Sequence, residues 1–529
     1  MDRWSGRVAV VTGASAGIGA SISEELVKKG LKVVGLARRV ERIQELAEGL
    51  KSQPGKLYAL KCDITKETEV QEAFKWIKSN VGGVDILINN AGVASNGKLI
   101  SGPVESWKSI LDLNVLALSV CTKEALQSMK ERGVDDGHII HINSVVGHTI
   151  PNLPLVVHMY CASKHAVTAL TEGLRRELVQ QKSKIRVTSV SPGMVETEFM
   201  AASGRPFDPK KVYGENPHLE AKDVSDAIMY ALGVPPHVQI HEITIKPVGW
   251  MDGLYFRKLF LVLGFTLFIL RQTTYKTMER WSGRVAMVTG ASAGIGASVA
   301  QELVKKGLKV VGLARRLEKI QELADSLKSQ PGKLYPLKCD ITKETEVQEA
   351  FKWVKSNLGG VDILINNAGV ASSSNLIDGP VDSWKSILDL NVLALSVCTK
   401  EALQSMKERG VDDGHIVHIN SVLGHVFPNS PLIAHMYCAS KSAVLALTEG
   451  LRRELVQQKS KIKISSVTPG LVETEFMAAS GRVADPAKVY ASVPHLQAED
   501  VSDAVLYVLA TPPHVQVHEI IVKPVGSSV

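Results

Sequence analysis

The 529-residue chain repeats itself at an offset of 277 residues. Thr12 returns as Thr289 and Tyr160 as Tyr437. The match runs from Met1-Asp2-Arg3-Trp4 against Met278-Glu279-Arg280-Trp281 to Lys246-Pro247-Val248-Gly249 against Lys523-Pro524-Val525-Gly526, without an insertion. Solenoid and propeller repeats have periods of about 20–50 residues, because each repeat is one supersecondary unit. A period several times longer means two copies of a whole domain. The chain therefore reads as a first copy at 1–249, a join at 250–277 and a second copy at 278–529. Each copy is long enough to bury the core of one α/β domain.

Within a copy, short apolar stretches alternate with helical patterns. Arg7 to Val11 reads as a strand, and the turn Thr12-Gly13-Ala14-Ser15-Ala16-Gly17-Ile18-Gly19 leads into a helix from Ile18 to Lys29. Glycines there let the backbone turn sharply and approach a pyrophosphate, whose charge the free N–H groups of the helix start attract. Strands follow at Lys32 to Leu36, Leu57 to Cys62, Ile86 to Ile88, His138 to Ile142 and Ile185 to Val190, with a closing helix at Ala221 to Leu232 and a strand at Val238 to Ile245. This alternation predicts a parallel sheet with helices on both faces, a doubly wound Rossmann-type α/β domain, twice in tandem.

Ligands of such sheets bind at the carboxyl ends of the strands, and the polar motifs fall there. Ala37-Arg38-Arg39 ends the second strand and Asp63 the third, placed to meet an adenine edge. Asn89-Asn90-Ala91-Gly92 ends the fourth, Asn143-Ser144 the fifth, and Ser191-Pro192-Gly193-Met194-Val195-Glu196-Thr197 the sixth. An acid after the second strand holds the ribose 2′-hydroxyl of NAD, whereas arginine accommodates the 2′-phosphate of NADP. Arg38 and Arg39 therefore favour NADP, unless they merely open a solvated helix. Tyr160-Cys161-Ala162-Ser163-Lys164 puts a phenol and an ammonium on one helix face. A free phenol, with a pKa of about 10, is a poor base at neutral pH unless a nearby cation favours phenolate. Lys164 supplies that cation. Taken alone, the pair reads more readily as a packed tyrosine beside a solvated lysine, and Asn114, inside a long helical pattern, more readily as a local backbone bonder.

Together, Thr12 to Gly19, Asn89 to Gly92, Asn114, Ser144, Tyr160-x-x-x-Lys164 and Pro192-Gly193 resemble the short-chain dehydrogenase/reductase family in its extended set of motifs. The second copy matches with Thr289, Gly290, Gly294, Gly296, Asn366 to Gly369, Asn391, Ser421, Tyr437, Lys441, Pro469 and Gly470. Each copy looks most like the NADP-dependent farnesol dehydrogenases and the related member 11 dehydrogenase/reductases, which act on isoprenoid alcohols and ketosteroids. The sixteen residues from Ser144 to Tyr160 exceed the family's commonest spacing and enlarge a loop beside the substrate.

The resemblance implies an NADP(H)-dependent alcohol dehydrogenase or carbonyl reductase. Tyr160 and Tyr437 would be general acid/base, with Lys164 and Lys441 lowering the tyrosine pKa and holding ribose hydroxyls. Ser144 and Ser421 would bond the substrate oxygen, and Asn114 and Asn391 would position a water. The implied cofactor residues are Gly13, Ser15, Gly17, Ile18, Gly19, Arg38, Arg39, Asp63, Asn90, Gly92, Pro192, Gly193, Val195 and Thr197. Their second-copy counterparts are Gly290, Ser292, Gly294, Ile295, Gly296, Arg315, Arg316, Asp340, Asn367, Gly369, Pro469, Gly470, Val472 and Thr474. Val195 and Thr197 would hold the nicotinamide carboxamide. A rival reading is a nucleotide-binding scaffold or sensor that has lost catalysis, but such proteins usually break the tyrosine or lysine, and both copies keep them.

The copies differ where substrate should touch. Asn96-Gly97-Lys98 becomes Ser373-Ser374-Asn375, Thr149-Ile150 becomes Val426-Phe427, and Gly214-Glu215-Asn216 becomes Ala491-Ser492-Val493. Either the substrate ranges diverge or tolerant loops have drifted. The net charge of +7 comes from signs mixed along the chain, which argues against nucleic acid. Six scattered cysteines without a CxxC pair predict neither a metal site nor a disulfide framework, and point to the cytoplasm. The start runs straight into a strand, so no cleavable leader is expected. In the join, the apolar run 259–270 lies between Arg257-Lys258 and Arg271. As a helix it would be about 18 Å long, short of the roughly 30 Å bilayer core. It reads as a surface anchor, a linker, or the seam of two neighbouring duplicated genes. A chain fused in this way would reproduce within itself the pairing of copies that family members achieve as homo-oligomers.

Overall fold

The structure is a computed structural model, and it describes residues 1–95, 98–150, 157–203, 208–236, 238–247, 278–372, 375–426, 434–481, 485–511, 513 and 515–524. The join, with its apolar run 259–270, lies outside the described residues, as do 96–97, 373–374 and 427 among the positions where the copies differ.

The first copy contains strands β1 (Val8–Thr12), β2 (Lys32–Ala37), β3 (Lys56–Lys61), β4 (Ile86–Asn89), β5 (His138–Ile142), β6 (Arg186–Pro192) and β7 (Glu242–Ile245). Its helices are α1 (Gly17–Lys28), α2 (Val40–Gly49), α3 (Glu67–Val81), α4 (Val104–Leu111), α5 (Leu118–Glu131), α6 (His158–Gln180), α7 (Phe199–Ala202), α8 (Pro209–Glu215) and α9 (Ala221–Gly233). The second copy repeats them as β8 (Val285–Thr289), β9 (Lys309–Ala314), β10 (Lys333–Lys338), β11 (Ile363–Asn366), β12 (His415–Ile419), β13 (Lys463–Pro469) and β14 (Glu519–Val522). Its helices are α10 (Gly294–Lys305), α11 (Leu317–Ser326), α12 (Glu344–Leu358), α13 (Val381–Leu388), α14 (Leu395–Glu408), α15 (His435–Gln457), α16 (Glu475–Ala479), α17 (Pro486–Ser492) and α18 (Ala498–Ala510).

Each copy forms one seven-stranded parallel sheet, ordered β3-β2-β1-β4-β5-β6-β7 in the first and β10-β9-β8-β11-β12-β13-β14 in the second. Val10 pairs with Val34 on one side and Leu87 on the other. Strands such as β1 are buried along their whole length because helices cover both faces, which explains their unbroken apolar runs. The order reverses between β1 and β4, so their carboxyl ends part and leave a crevice.

Beyond shifts of one or two residues at element ends, the sequence reading differs from the structure in two places. The last strand begins at Glu242 and not at Val238. Val238 N–H closes a turn onto the Pro235 carbonyl, and the carbonyls of Val238, Ile240 and His241 accept from the side chains of Arg186, Thr188 and Arg175. The long helix expected around Asn114 is broken between α4 and α5 by a wider-wound π turn, Asp112–Ala117. Such turns insert a residue and re-aim side chains, frequently at functional sites.

The two copies pack through α6 and α15, and one apolar core cluster runs through both. Lys123 lies over the Trp384 ring and Lys400 over the Trp107 ring, each 5.9 Å from the centroid, so the contact is reciprocal.

Candidate active site

The glycine-rich turn and the end of β4 are tied together before any ligand is considered. The Thr12 hydroxyl accepts from the N–H groups of Asn90 and Ala91, both at 3.0 Å, and Asn90 Nδ2 donates back to the Thr12 carbonyl at 2.9 Å. Gly13 and Gly17 have φ of +68° and +53°, a region where side chains are strained. A Cβ on Gly19 would stand 2.3 Å from the Gly13 carbonyl oxygen, so only glycine lets the first helix turn approach the strand end. Thr289, Asn367 and Gly296 repeat each contact.

Asn114, aimed by its π turn, bonds both main-chain groups of Val93 at 2.8 Å, and its Nδ2 also donates to Ser163 Oγ at 3.0 Å. Ser163 donates in turn to the Tyr160 carbonyl at 2.7 Å. One side chain thus fixes the loop after β4 and the start of α6. Asn391, Val370, Ser440 and Tyr437 form the same chain.

The Ser144 hydroxyl accepts from Val146 N–H at 3.3 Å, and the Tyr160 ring packs on Phe199 with centroids 5.7 Å apart. Lys164 Nζ sits 5.8 Å from the centre of the Tyr160 ring and donates to the Ile142 carbonyl at 2.8 Å. Lys164 and Lys441 are buried, which lowers each ammonium to about 8. Lys441 donates likewise to Ile419, and the Ser421 hydroxyl accepts from Leu423 N–H.

A cleft of about 1080 Å³ joins these groups in the first copy. Gly13, Ser15, Gly17, Ile18, Arg38, Arg39, Asp63, Asn90, Gly92, Ser144, Tyr160, Lys164, Pro192, Gly193, Val195 and Thr197 all line it. Of the first copy's residues chosen from the sequence, Gly19 and Asn114 alone do not line it. Burial raises the Asp63 carboxyl, but the Thr65 hydrogen bonds and the charge of Arg38 outweigh it, and the net shift is downward. Asp340 follows with Thr342 and Arg315. Arg39 and Arg42 both grip Glu198, at 2.9 and 2.6 Å, and hold its carboxyl below the ordinary range. In the second copy Arg316 bonds Glu475 and also Ser292 of the glycine-rich turn.

Sequence reasoning missed several residues. The Tyr213 hydroxyl donates to the Val195 carbonyl at 3.1 Å, and Thr197 N–H donates to it, which shapes the wall after β6; Tyr490 does the same for Val472 and Thr474. Glu198, Ser163 and Arg453 were also missed, and Arg453 lines the first copy's cleft although it belongs to the second. Recurrence at the 277-residue offset was the available signal, but it marks every residue of the repeat alike.

The fold and this cleft define an α/β domain with a crevice of the nucleotide-binding kind, and the side-chain contacts around it recur in the second copy. The family model described as short chain dehydrogenase matches residues 7–206 and again 284–483. A farnesol dehydrogenase of Aedes aegypti is 51% identical over 251 residues, 47% of this chain and 99% of the relative. Dehydrogenase/reductase SDR family member 11 of Bos taurus is 52% identical over 252 residues, 47% of this chain and 98% of the relative. The C-domain of a bacterial malonyl-CoA reductase, solved with NADP, superposes over 98% of this chain and 99% of its own, with a TM-score of 0.73 at 15% identity, a likeness of fold alone. The chain belongs to the short chain dehydrogenase family, once in each copy, and is an oxidoreductase.

Proposed function

We propose that each copy is an NADP(H)-dependent oxidoreductase that interconverts an alcohol and a carbonyl on an apolar substrate, an isoprenoid alcohol such as farnesol or a ketosteroid. The observation that carries this reading is the convergence of Ser144, Tyr160 and Lys164 in one cleft with Arg38 and Arg39 at its other end. The cleft fits a dinucleotide. Gly13 and Gly17 line it at positive φ, so bare backbone faces it there, and arginines stand where an acid would select NAD. Gly13, Ser15 and Ile18 would cradle the pyrophosphate, Arg38 and Arg39 the 2′-phosphate, and Val195 and Thr197 the carboxamide. The bound dinucleotide supplies or accepts the hydride.

The chain's own groups handle the proton. The Tyr160 hydroxyl gives it to the substrate oxygen or takes it back, and the Lys164 ammonium beside the ring favours phenolate. Ser144 donates to the same oxygen and steadies its charge. Asn114 keeps the loop and helix in register. The names of the relatives support the substrate class, and the apolar side chains of Ile150, Val157 and Phe199 along the cleft suit it.

The test is farnesol oxidation with NADP and ketosteroid reduction with NADPH in Tyr160→Phe, Tyr437→Phe and the double variant. Each single variant should lose one copy's share of turnover, and the double should fall by about 100-fold or more, the usual contribution of a positioned acid/base. Turnover indifferent to both tyrosines would overturn the proposal.

A further inference from the structure

The helices that carry the two tyrosines also carry a reciprocal contact between the copies. His158, two residues before Tyr160, bonds through Nδ1 to Glu454 Oε1 of the second copy at 2.6 Å. The same oxygen accepts Leu99 N–H at 2.9 Å, six residues along the chain from the cleft-lining Val93. The adjacent Arg453 donates to the Ile150 carbonyl at 2.6 Å, in the loop that follows Ser144. Two neighbouring residues of the second copy thus hold three segments that frame the first copy's cleft. The arrangement is mirrored, with Glu177 Oε1 bonding His435 and accepting Leu376 N–H at 2.9 Å.

The contact is buried, with both glutamates 2% exposed. Each imidazole lies against a glycine one turn before the glutamate. A Cβ on Gly450 would stand 2.6 Å from the His158 ring, and one on Gly173 2.7 Å from His435. A buried carboxylate that accepts from two donors holds both firmly, because removing it leaves them unpaired away from water.

We infer that Glu454 is a positioning residue for the Tyr160 site and Glu177 for the Tyr437 site, so that each copy's turnover depends on a side chain supplied by the other. The inference rests on the reading of the Tyr160 and Tyr437 sites as active sites. It predicts a crossed pattern. In the Tyr437→Phe background, where the first copy alone works, Glu454→Ala lowers kcat by about 10- to 100-fold, the usual effect of a small misplacement of reacting groups, and leaves the KM for NADP unchanged. In the Tyr160→Phe background the same substitution leaves the second copy's kcat within about twofold. Glu454→Gln keeps an accepting oxygen and restores most of the loss, while Glu177→Ala gives the mirror pattern.

Loss confined to the second copy, equal loss in both, or no loss in either would overturn the inference. A second readout needs no turnover: Glu454→Ala should speed amide exchange at Leu99 and leave Leu376 as in the parent. Should the parent itself turn over none of these substrates, or do so with indifference to both tyrosines, the alcohol–carbonyl reading has failed, and exchange at Leu99 alone decides whether Glu454 braces the cleft. Unchanged exchange there would overturn the inference too.

Discussion

Lys164 and Lys441 show what the site demands of single residues. Each ammonium is buried, and burial alone brings it from a free lysine's 10.5 to about 8. The charged form is therefore destabilised in the fold, on the order of 3 kcal/mol per lysine by the shift itself. That penalty is fully present below pH 8 and is relieved as pH rises from about 8 to 10.5, where the unfolded chain binds more protons than the native one. Lys164→Met together with Lys441→Met removes the charges and loses the bonds to Ile142 and Ile419. The double variant should unfold at a higher temperature at pH 7, by about 1–3 kcal/mol per site after the lost bond is discounted, should lack the parent's gain in stability between pH 8 and 10.5, and should be inactive. Thermal unfolding followed across that pH range checks it. The lysine, the tyrosine and the serine were legible in the sequence because their chemistry needs those residue types. The Ile142 carbonyl was not, because a main-chain acceptor leaves no mark in the side chains.

Among elements, the unit β1–turn–α1 bears most of the fit to a dinucleotide. Gly19→Ala puts a methyl 2.3 Å from a main-chain oxygen that Asn90 and the strand end hold still. Neither side can yield cheaply, so the variant should lose about 1–3 kcal/mol of stability, as overpacked sites do. Fluorescence titration should show NADPH binding falling from two sites per chain to one, and Gly296→Ala should do the same for the other copy. The sheet was legible because parallel strands buried on both faces are plain apolar runs. The start of β7 was not, since side chains from α6 and β6 take the carbonyls that a ladder would use. Nor was the π turn at Asn114, because one inserted residue barely disturbs a helical pattern.

At the scale of the whole chain, the repeat announced two domains but not how they meet. A face that packs on a sister copy carries the same apolar residues as a face that packs on its own sheet, so α6 and α15 read as ordinary core helices. The clue lay in Gly173 and Gly450, small residues that admit the opposite imidazole, and it gains meaning only when His435 and His158 are seen against them. The union should therefore rest on packing and not on the join. With a protease site placed within 250–277 and cut, the two halves should still elute as one particle, because the shared apolar core and the buried histidine–glutamate pairs lie elsewhere. Gly173→Leu with Gly450→Leu drives side chains into both rings, and after the same cut the halves should separate on a sizing column. Halves that part without those substitutions would mean that the join holds the copies together, and the dependence of each cleft on the other copy's glutamate would then require an uncut chain.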